Sequence, residues 1–251
     1  MDLGLQDRVV LVTGSTRGIG RAAAVAFARA GAHVAVTYRT DRDRAEAVAW
    51  EIRAAGRDAL VVFFDLGSAE AIEAAASAVQ HRWGRVDVLV NNAVRWPVRT
   101  AEQSPLFESL HADEWCAILR ANVDGAMAMI QAVVPSMRRH GWGRIVNVSS
   151  GIAADGLAGV GAYGAAKAAL HGLTRTLAKE LGPDGILVNV VMPGLTVTER
   201  SAAHLPAEVR DRMARGAPIR LLQPEEIAPT ILFLASAVNS AVTGEIIRVS
   251  G

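Results

Sequence analysis

The chain has 251 residues, of which 51% are hydrophobic and 20% charged, and its formal net charge is +1. This composition supports a large buried core and excludes a disordered chain, and the balanced charge argues against a nucleic-acid-binding protein. The one cysteine, Cys116, excludes an intramolecular disulfide, and the six histidines are too scattered to predict a metal site. We find neither a signal-peptide start nor a run of about 18 apolar residues. We therefore expect a cytoplasmic protein that binds neither membranes nor nucleic acids.

Short, β-branched apolar runs alternate with stretches of helical periodicity along the chain. The runs are almost continuously apolar, which is typical of strands buried on both faces of a parallel sheet. Strands are predicted at residues 9–12, 34–37, 60–64, 86–90, 145–148, 186–191 and 246–249. Helices are predicted at residues 20–30, 42–55, 69–83, 113–137, 162–181 and 225–235. The alternation predicts an α/β fold in a single domain spanning residues 1–251, with a doubly wound parallel sheet of about seven strands flanked by helices.

Two segments carry no clear strand or core pattern, residues 94–112 and residues 195–222. Long irregular segments of α/β proteins often form the walls or lids of sites. We therefore predict that residues 195–222 form a substrate-binding lid. An ordinary surface excursion is the alternative for each segment.

The first predicted strand is followed by the sequence T-G-S-T-R-G-I-G at residues 13–20, which opens the first helix. Glycines let a backbone approach a pyrophosphate closely, and a helix N-terminus offers free N–H groups and a positive dipole end. A strand–helix turn without a ligand is the alternative. The context of strand, glycine turn and helix favours a dinucleotide site.

The glycine spacing resembles the T-G-x-x-x-G-x-G signature of the short-chain dehydrogenase/reductase family, and the resemblance extends over nearly all of the chain. The sequences L-L-Q-P-E-E-I-A and V-T-G-E-I near the C-terminus resemble the 3-oxoacyl-carrier-protein reductase branch. The resemblance implies a Rossmann fold and an enzyme with a nicotinamide cofactor. It places part of the cofactor site at Gly14, Ser15, Arg17, Gly18, Ile19 and Gly20.

The end of the second predicted strand indicates which dinucleotide is bound. NAD-preferring enzymes carry an acid there to bond the ribose hydroxyls, and this chain has T-Y-R-T at residues 37–40. Asp41 comes later and is predicted to cap the next helix. Arg39 can instead meet a 2′-phosphate, and Arg17 points to the same place in the NADP-preferring members that the chain resembles. We predict NADP(H) over NAD(H), and two ordinary surface arginines are the alternative.

Tyr163 and Lys167 stand four residues apart on one predicted helix face. A lysine ammonium close to a phenol favours the tyrosinate and lowers its pKa, so Tyr163 is predicted to act as the general acid or base. Of the 26 basic residues 24 are arginines, so a lysine at position 167 is notable. A compact ammonium fits between a ribose and a phenol better than a guanidinium. In the family the lysine also bonds the nicotinamide ribose.

Two more catalytic residues follow from the resemblance. The family has a serine thirteen residues before its tyrosine, which is Ser150 here, and its hydroxyl would donate to the developing oxyanion. Ser149 is the neighbouring alternative. Asn122 lies in the middle of a predicted helix, where asparagine is unfavourable. In the family this asparagine loosens the helix, binds a water and completes a proton relay, and an ordinary helical asparagine is the alternative.

Three further motifs resemble cofactor-binding segments of the family. Asp65 and Leu66 resemble its adenine-contacting pair, with a helix-capping Asp as the alternative. The sequence N-N-A-V at residues 91–94 resembles N-N-A-G, but Val94 replaces a glycine that can adopt positive φ. Residues 193–198 resemble P-G-x-x-x-T, which binds the carboxamide. Further cofactor contacts are thus implied at Asp65, Leu66, Asn92, Ala93, Tyr163, Lys167, Pro193, Gly194, Thr196 and Thr198.

The leading hypothesis is an NADPH-dependent reductase that converts a ketone to a secondary alcohol, with Trp96 lining the substrate pocket. A 3-oxoacyl-carrier-protein reductase and a non-catalytic NADP-binding regulator are the alternatives. The resemblance also implies a homotetramer or homodimer. Carrier-protein reductases dock their acidic carrier on arginines near the site mouth, and those positions hold Gly141 and Asp184 here. Arg138 and Arg139 lie close in sequence, but we do not expect a carrier protein as partner.

Overall fold

The computed structural model describes residues 2–96, 107–204 and 207–251. Their strands are β1 Val9–Val12, β2 His33–Tyr38, β3 Ala59–Phe63, β4 Val88–Asn91, β5 Gly143–Val148, β6 Ile186–Pro193 and β7 Ile246–Val249. Their α-helices are α1 Gly18–Arg29, α2 Arg42–Ala54, α3 Ala69–Trp83, α4 Ala112–Leu119, α5 Gly125–Arg139, α6 Ile152–Asp155, α7 Gly161–Leu181, α8 Glu199–His204, α9 Ala207–Gly216 and α10 Pro224–Ala235.

The seven strands form one parallel sheet in the order β3-β2-β1-β4-β5-β6-β7. Helices α1, α2 and α10 cover one face around Phe27, Ile52 and Ile231. Helices α3, α5 and α7 cover the other face, where Met129 and Ile145 are fully buried. The predicted doubly wound α/β fold is confirmed, and burial on both faces explains why its central strands are continuously apolar.

The chain reverses its direction of strand addition between β1 and β4, which are neighbours in the sheet. Ligands of open α/β sheets bind outside the carboxyl ends of the strands at such a switch point. The glycine turn follows β1, the N-N-A-V sequence follows β4, Ser150 follows β5, and Pro193 ends β6. All these predicted site residues therefore lie at one edge of the sheet.

The predicted helix at residues 113–137 is not regular. A π-helical turn, Arg120–Asp124, separates α4 from α5. The side-chain Nδ2 of Asn122 donates to the Ile118 carbonyl at 2.9 Å. In a regular α-helix that carbonyl would accept from the Asn122 backbone N–H, so this side-chain bond competes with the ladder and accompanies the wider turn.

The combined helical stretch Ala112–Arg139 is long and apolar enough to cross a membrane by length and composition. Arg120, Asn122 and Asp124 interrupt its apolar residues, so it is not the continuous apolar run that the sequence analysis excluded. Nearly half of its most apolar window is buried, because the stretch packs against α3 and against β4 and β5. Core helices of globular proteins pass the same test, and packing within the fold accounts for the apolar residues.

The segment at residues 195–222 contains two helices, α8 and α9, that the sequence analysis did not predict. Half of the ten α9 residues, AEVRDRMARG, are charged, so this short segment did not stand out as a core helix in the sequence. Leu222 ends the segment on a bridge with Thr196, so its two ends are joined beside β6.

Candidate active site

The glycine turn after β1 packs so closely on its surroundings that side chains would not fit. Gly14 and Gly18 have φ angles of +67° and +54°, a region that favours glycine. A Cβ at Gly14 would lie 2.9 Å from the Cα of Ala93, and one at Gly20 would overlap the Gly14 carbonyl oxygen. The turn thus forms a backbone cradle at the start of α1, as a bound pyrophosphate requires.

Hydrogen bonds join the glycine turn to the segment after β4. The Asn92 side chain donates from Nδ2 to the carbonyls of Thr13 and Gly14, each at 3.0 Å. Thr13 Oγ1 accepts from the backbone N–H groups of Asn92 and Ala93, each at 3.0 Å. The Asn92 side-chain amide therefore ties the segment after β4 to the glycine turn.

Ser15 is placed inside the protein and not toward a ligand. Its buried hydroxyl donates to the Val12 carbonyl at 2.9 Å and accepts from the Thr37 N–H at 2.9 Å. A cofactor contact at Ser15 would have to come from its backbone. The side chain instead couples the turn to β2.

The two arginines predicted to read a 2′-phosphate are both exposed at this edge of the sheet. In the described part of the chain, neither the Arg17 nor the Arg39 guanidinium has a hydrogen-bond or salt-bridge partner. Asp41 accepts from the Arg44 N–H at 3.0 Å and pairs with the Arg44 side chain, which confirms it as the cap of α2. Exposed guanidinium groups of this kind bind phosphate groups with charge-assisted hydrogen bonds.

Asp65 lies two residues after the end of β3, and its side chain accepts from the Gly67 N–H at 2.9 Å. Ser68 caps α3 by accepting from Ala71, so the alternative that Asp65 caps this helix was wrong. The Leu66 carbonyl closely approaches Gly125 at the start of α5, where no side chain would fit.

Val94 occupies its position without a left-handed backbone. Asp7 is the one non-glycine residue with positive φ in the described ranges, so Val94 does not carry the strain that its substitution for glycine suggested. Its side chain is exposed, with 39% of its surface open to solvent.

Tyr163 and Lys167 lie one turn apart near the start of α7, and both are buried, with 6% and 3% exposure. The Lys167 Nζ donates to the Val148 carbonyl at 2.8 Å and lies 5.9 Å from the centre of the Tyr163 ring. Burial lowers the pKa of Lys167 to about 8, so the ammonium is the main form at neutral pH. The charge is thus held beside the phenol by the last carbonyl of β5.

The two serines after β5 point to different surroundings. The Ser149 hydroxyl is buried, donates to the Lys167 carbonyl at 3.2 Å and lies 2.8 Å from Nε2 of His171. Ser150 is half-buried, and among the described residues its Oγ accepts one long bond, 3.3 Å, from the Ile152 N–H. This difference favours Ser150 as the serine available to a ligand.

Asn122 connects its helix to the segment after β4. Its Oδ1 accepts from the Arg95 N–H at 3.0 Å, and its Nδ2 donates to the Arg95 carbonyl at 2.8 Å. The side chain therefore holds both polar groups of one backbone residue. Sequence reasoning did not find this role, because nothing in the sequence pairs residues 27 positions apart.

The segment after β6 closes the site from the other side. Thr196 is buried and donates to the Gly194 carbonyl at 3.2 Å, and Thr198 accepts from the Ser201 N–H at 3.1 Å. The Thr198 side chain faces Gly18 across the edge of the sheet, 3.1 Å from where a Cβ would stand. The glycine turn and the P-G-x-x-x-T motif are therefore direct neighbours at this edge of the sheet.

Trp96 packs directly on Tyr163, with ring centres 4.2 Å apart and planes inclined by 58°. The sequence suggested a pocket-lining role for Trp96 but gave no sign of this contact. Arg99, which stands in the same segment, lies outside the described residues.

The positions compared with carrier-docking arginines do not lie at the mouth of this chain's site. Gly141 precedes β5 and Asp184 precedes β6, so both stand at the opposite edge of the sheet from Tyr163. Tyr163 lies near the start of α7, a helix of 21 residues, and Asp184 lies just after the end of this helix. Arg138 donates to Asp184 at 2.8 Å, so the nearby arginine is already paired. Within a single chain, the expectation that Gly141 and Asp184 lie near the mouth of the site was therefore wrong.

Comparisons with known proteins agree with this geometry. The family model of short chain dehydrogenases matches residues 8–208. The 3-oxoacyl-[acyl-carrier-protein] reductase FabG of Aquifex aeolicus (strain VF5) is 40% identical over 253 residues, covering 100% of this chain and 99% of that protein.

Two solved structures superpose closely. A 7α-hydroxysteroid dehydrogenase complexed with NADH and 7-oxo glycochenodeoxycholic acid has a TM-score of 0.92 at 33% identity, covering 100% of this chain and 95% of the other. A short-chain dehydrogenase from Burkholderia cenocepacia J2315 in complex with NADP has a TM-score of 0.89 at 34% identity, covering 99% and 98%. From its fold, its motifs and these matches, the chain belongs to the short-chain dehydrogenase/reductase family of oxidoreductases.

Proposed function

We propose that this protein reduces a ketone to a secondary alcohol with NADPH, and that Tyr163 supplies the proton. The observation that carries this proposal is the buried Tyr163–Lys167 pair beside a glycine cradle that fits a pyrophosphate. NADPH, when bound, supplies the hydride that the carbonyl carbon accepts. Proton donation and the stabilisation of the developing charge are left to the chain's own side chains.

Tyr163 donates its phenolic proton to the carbonyl oxygen as negative charge develops there. The Lys167 ammonium favours the tyrosinate that results, because an opposite charge nearby stabilises the ionised phenol. The Val148 carbonyl fixes Nζ at 2.8 Å, and Lys167 retains further donors for a ribose hydroxyl. The Ser150 hydroxyl donates to the same carbonyl oxygen, which stabilises the developing oxyanion.

Asn122 is a positioning residue in this proposal, because its side chain bonds backbone groups of its own helix and of the segment after β4. By binding Arg95 and Ile118 it ties the π-helical turn to the segment after β4. We assign to this turn a role in the proton relay that returns a proton to Tyr163 through Lys167 and a water. Residues 195–222 complete the site as a lid over the substrate.

NADP(H) is the preferred cofactor in this proposal. The similar solved structures hold NADH in one case and NADP in the other, so the preference rests on this chain's own residues. Arg17 and Arg39 are unpaired in the described part of the chain, and no acid ends β2. An acid there would repel a 2′-phosphate, whereas a guanidinium binds it with two charge-assisted bonds.

The substrate in this proposal is a free ketone of small or medium size. The similarity to a protein named as a 3-oxoacyl-[acyl-carrier-protein] reductase supports the alternative of a carrier-bound substrate. Asp184 and the engaged Arg138 argue against an acidic carrier on this surface. We further propose a cytoplasmic homotetramer or homodimer, and the exposed apolar side chains of Trp115 and Met127 on α4 and α5 are consistent with an interface there.

The test is NADPH oxidation, followed at the absorbance of the reduced nicotinamide, with a panel of free β-keto esters. Turnover that depends on the ketone supports the proposal. NADPH binding without turnover of any carbonyl compound would favour the non-catalytic regulator instead. NADH as the equal or better coenzyme would contradict the cofactor assignment.

A further inference from the structure

A small apolar cluster surrounds the tyrosine and is separate from the two main cores of the fold. Ile118, Val160 and Tyr163 are its buried members, and Trp96, Ile152 and Ala162 pack against them. These residues come from α4, α6, the segment after β4, and α7 with Val160 directly before it. They gather at the carboxyl edge of the sheet, so they form the apolar wall of the candidate site.

Trp96 has a special position in this cluster because it touches the tyrosine ring. The centre-to-centre distance of 4.2 Å lies at the short end of the distances found for aromatic pairs, which is about 4.5 Å. Tyr163 is 6% exposed, while Trp96 is only partly buried. The indole therefore covers part of the tyrosine ring and leaves part of its own surface open next to Tyr163.

The position of Trp96 is determined by a polar anchor one residue away. Asn122 holds both the N–H and the carbonyl of Arg95, at 3.0 and 2.8 Å. A bidentate bond of this kind fixes the backbone just before Trp96. The indole is thus presented by a held segment and not by a free loop end.

We propose that Trp96 is a specificity-determining residue that binds a flat, aromatic or unsaturated group attached to the ketone carbon. This inference rests on the proposed function, since it assigns the substrate class of the same site. A flat group next to the carbonyl can lie along the indole while the carbonyl oxygen reaches Tyr163. A saturated ring of equal size gains the same apolar burial but lacks the stacking interaction.

A matched pair of β-keto esters tests this inference. Ethyl benzoylacetate carries a phenyl ring on its ketone carbon, and ethyl 3-cyclohexyl-3-oxopropanoate carries a saturated ring of similar size. For the wild type we expect kcat/KM to favour the phenyl compound by about threefold to tenfold. Trp96→Leu should reduce the preference to less than about twofold, and Trp96→Phe should keep most of it.

The control is Trp50→Leu, which changes an exposed tryptophan on α2 in the same way and should keep the wild-type ratio. If Trp96 only packs on Tyr163, Trp96→Leu lowers the rates for both esters equally and the ratio stays constant. A constant ratio, or a wild type without preference, would overturn the proposal.

Failure of the proposed function is distinguished by binding. The dissociation constants of both esters are measured by calorimetry on the NADP⁺-loaded protein, where no turnover occurs. If neither ester is reduced, the proposed activity fails for this class of ketone. The ratio of the two dissociation constants, and its loss in Trp96→Leu, then decides the assignment of Trp96.

Discussion

Arg39 is the residue on which the cofactor assignment mainly depends. It follows β2 directly, at the place where an NAD-binding enzyme needs an acid, and its guanidinium has no partner among the described residues. Arg17 stands in the glycine turn and is equally exposed. Two free guanidinium groups can neutralise a phosphate dianion, which NAD(H) lacks at this position.

Arg39→Asp should move the coenzyme preference toward NADH. The substitution removes a charge-assisted phosphate contact and supplies an acceptor for the ribose hydroxyls. We expect the ratio of kcat/KM for NADPH to that for NADH to fall by at least about tenfold. Steady-state kinetics with each coenzyme at a fixed ketone concentration measure this ratio.

Arg29→Asp is the matched control, because it makes the same charge change at the far end of α1. It should leave the coenzyme ratio unchanged. A similar fall in both variants would mean that net charge, and not a local contact, sets the preference. No fall in Arg39→Asp would show that the phosphate is bound elsewhere.

At the scale of elements, the strands could be predicted from the sequence closely. β1 and β7 have the predicted bounds, and the other strands differ by at most two residues at each end. Burial on both faces makes these runs continuously apolar, so they stand out. Arg248 interrupts the pattern of β7 because that strand is at the sheet edge, where its side chain is exposed and pairs with Asp155.

The elements that were missed depend on contacts between distant residues. The π-helical turn at Arg120–Asp124 accompanies the bonds of Asn122 to Ile118 and to Arg95. The pairing of Trp96 with Tyr163 joins two segments that are far apart in the chain. No periodicity in a single sequence records such pairs, whereas the residues predicted to be catalytic could be proposed because their motif spacings are local.

The packing of α7 on β5 predicts a pH-dependent stability. The pKa of Lys167 is lowered from 10.5 to about 8, because burial disfavours the ammonium. Between these values the unfolded chain binds more protons than the folded one, so the free energy of unfolding rises with pH in this window. Below pH 8 Lys167 is charged in both states, and its buried charge destabilises the folded state by the full amount. The rise is at most about 3 kcal/mol.

Urea unfolding of the wild type and of Lys167→Met between pH 7 and pH 10 measures this effect. The free energy of unfolding of the wild type should rise relative to that of the variant as pH increases. Lys179→Met, which removes the other lysine from an exposed position on α7, should follow the wild type. A constant difference between wild type and Lys167→Met would mean that Lys167 titrates normally.

At the scale of the whole molecule, the two edges of the sheet have different surfaces. The carboxyl edge holds the candidate site, and the opposite edge holds Gly141 and the Arg138–Asp184 pair. A carrier that contacted these positions would therefore reach the site of the same chain only from the far side of the sheet. A carrier docked there could present its substrate only to the site of a neighbouring subunit, in the homo-oligomer that we propose.

We expect no large advantage for a carrier-bound substrate. An acetoacetyl group on a carrier protein should be reduced with a kcat/KM within about tenfold of the same group on a short thioester, since Asp184 and Gly141 offer an acidic partner no attraction. Asp184→Arg should raise kcat/KM for the carrier-bound group alone. A wild-type carrier advantage above about a hundredfold would show that docking is retained.

In the mechanism that we propose, Tyr163 gives its proton to a ketone while NADPH is bound to the same chain. The most direct test is kcat for NADPH-dependent reduction of a β-keto ester by Tyr163→Phe, with Tyr38→Phe, the other tyrosine of the chain, as control. We predict a loss of about 10²–10⁴-fold for Tyr163→Phe, with NADPH affinity and unfolding free energy close to wild type, because only a hydroxyl is removed. A loss of less than about tenfold, in a variant that still binds NADPH, would contradict the assignment of Tyr163 as the acid.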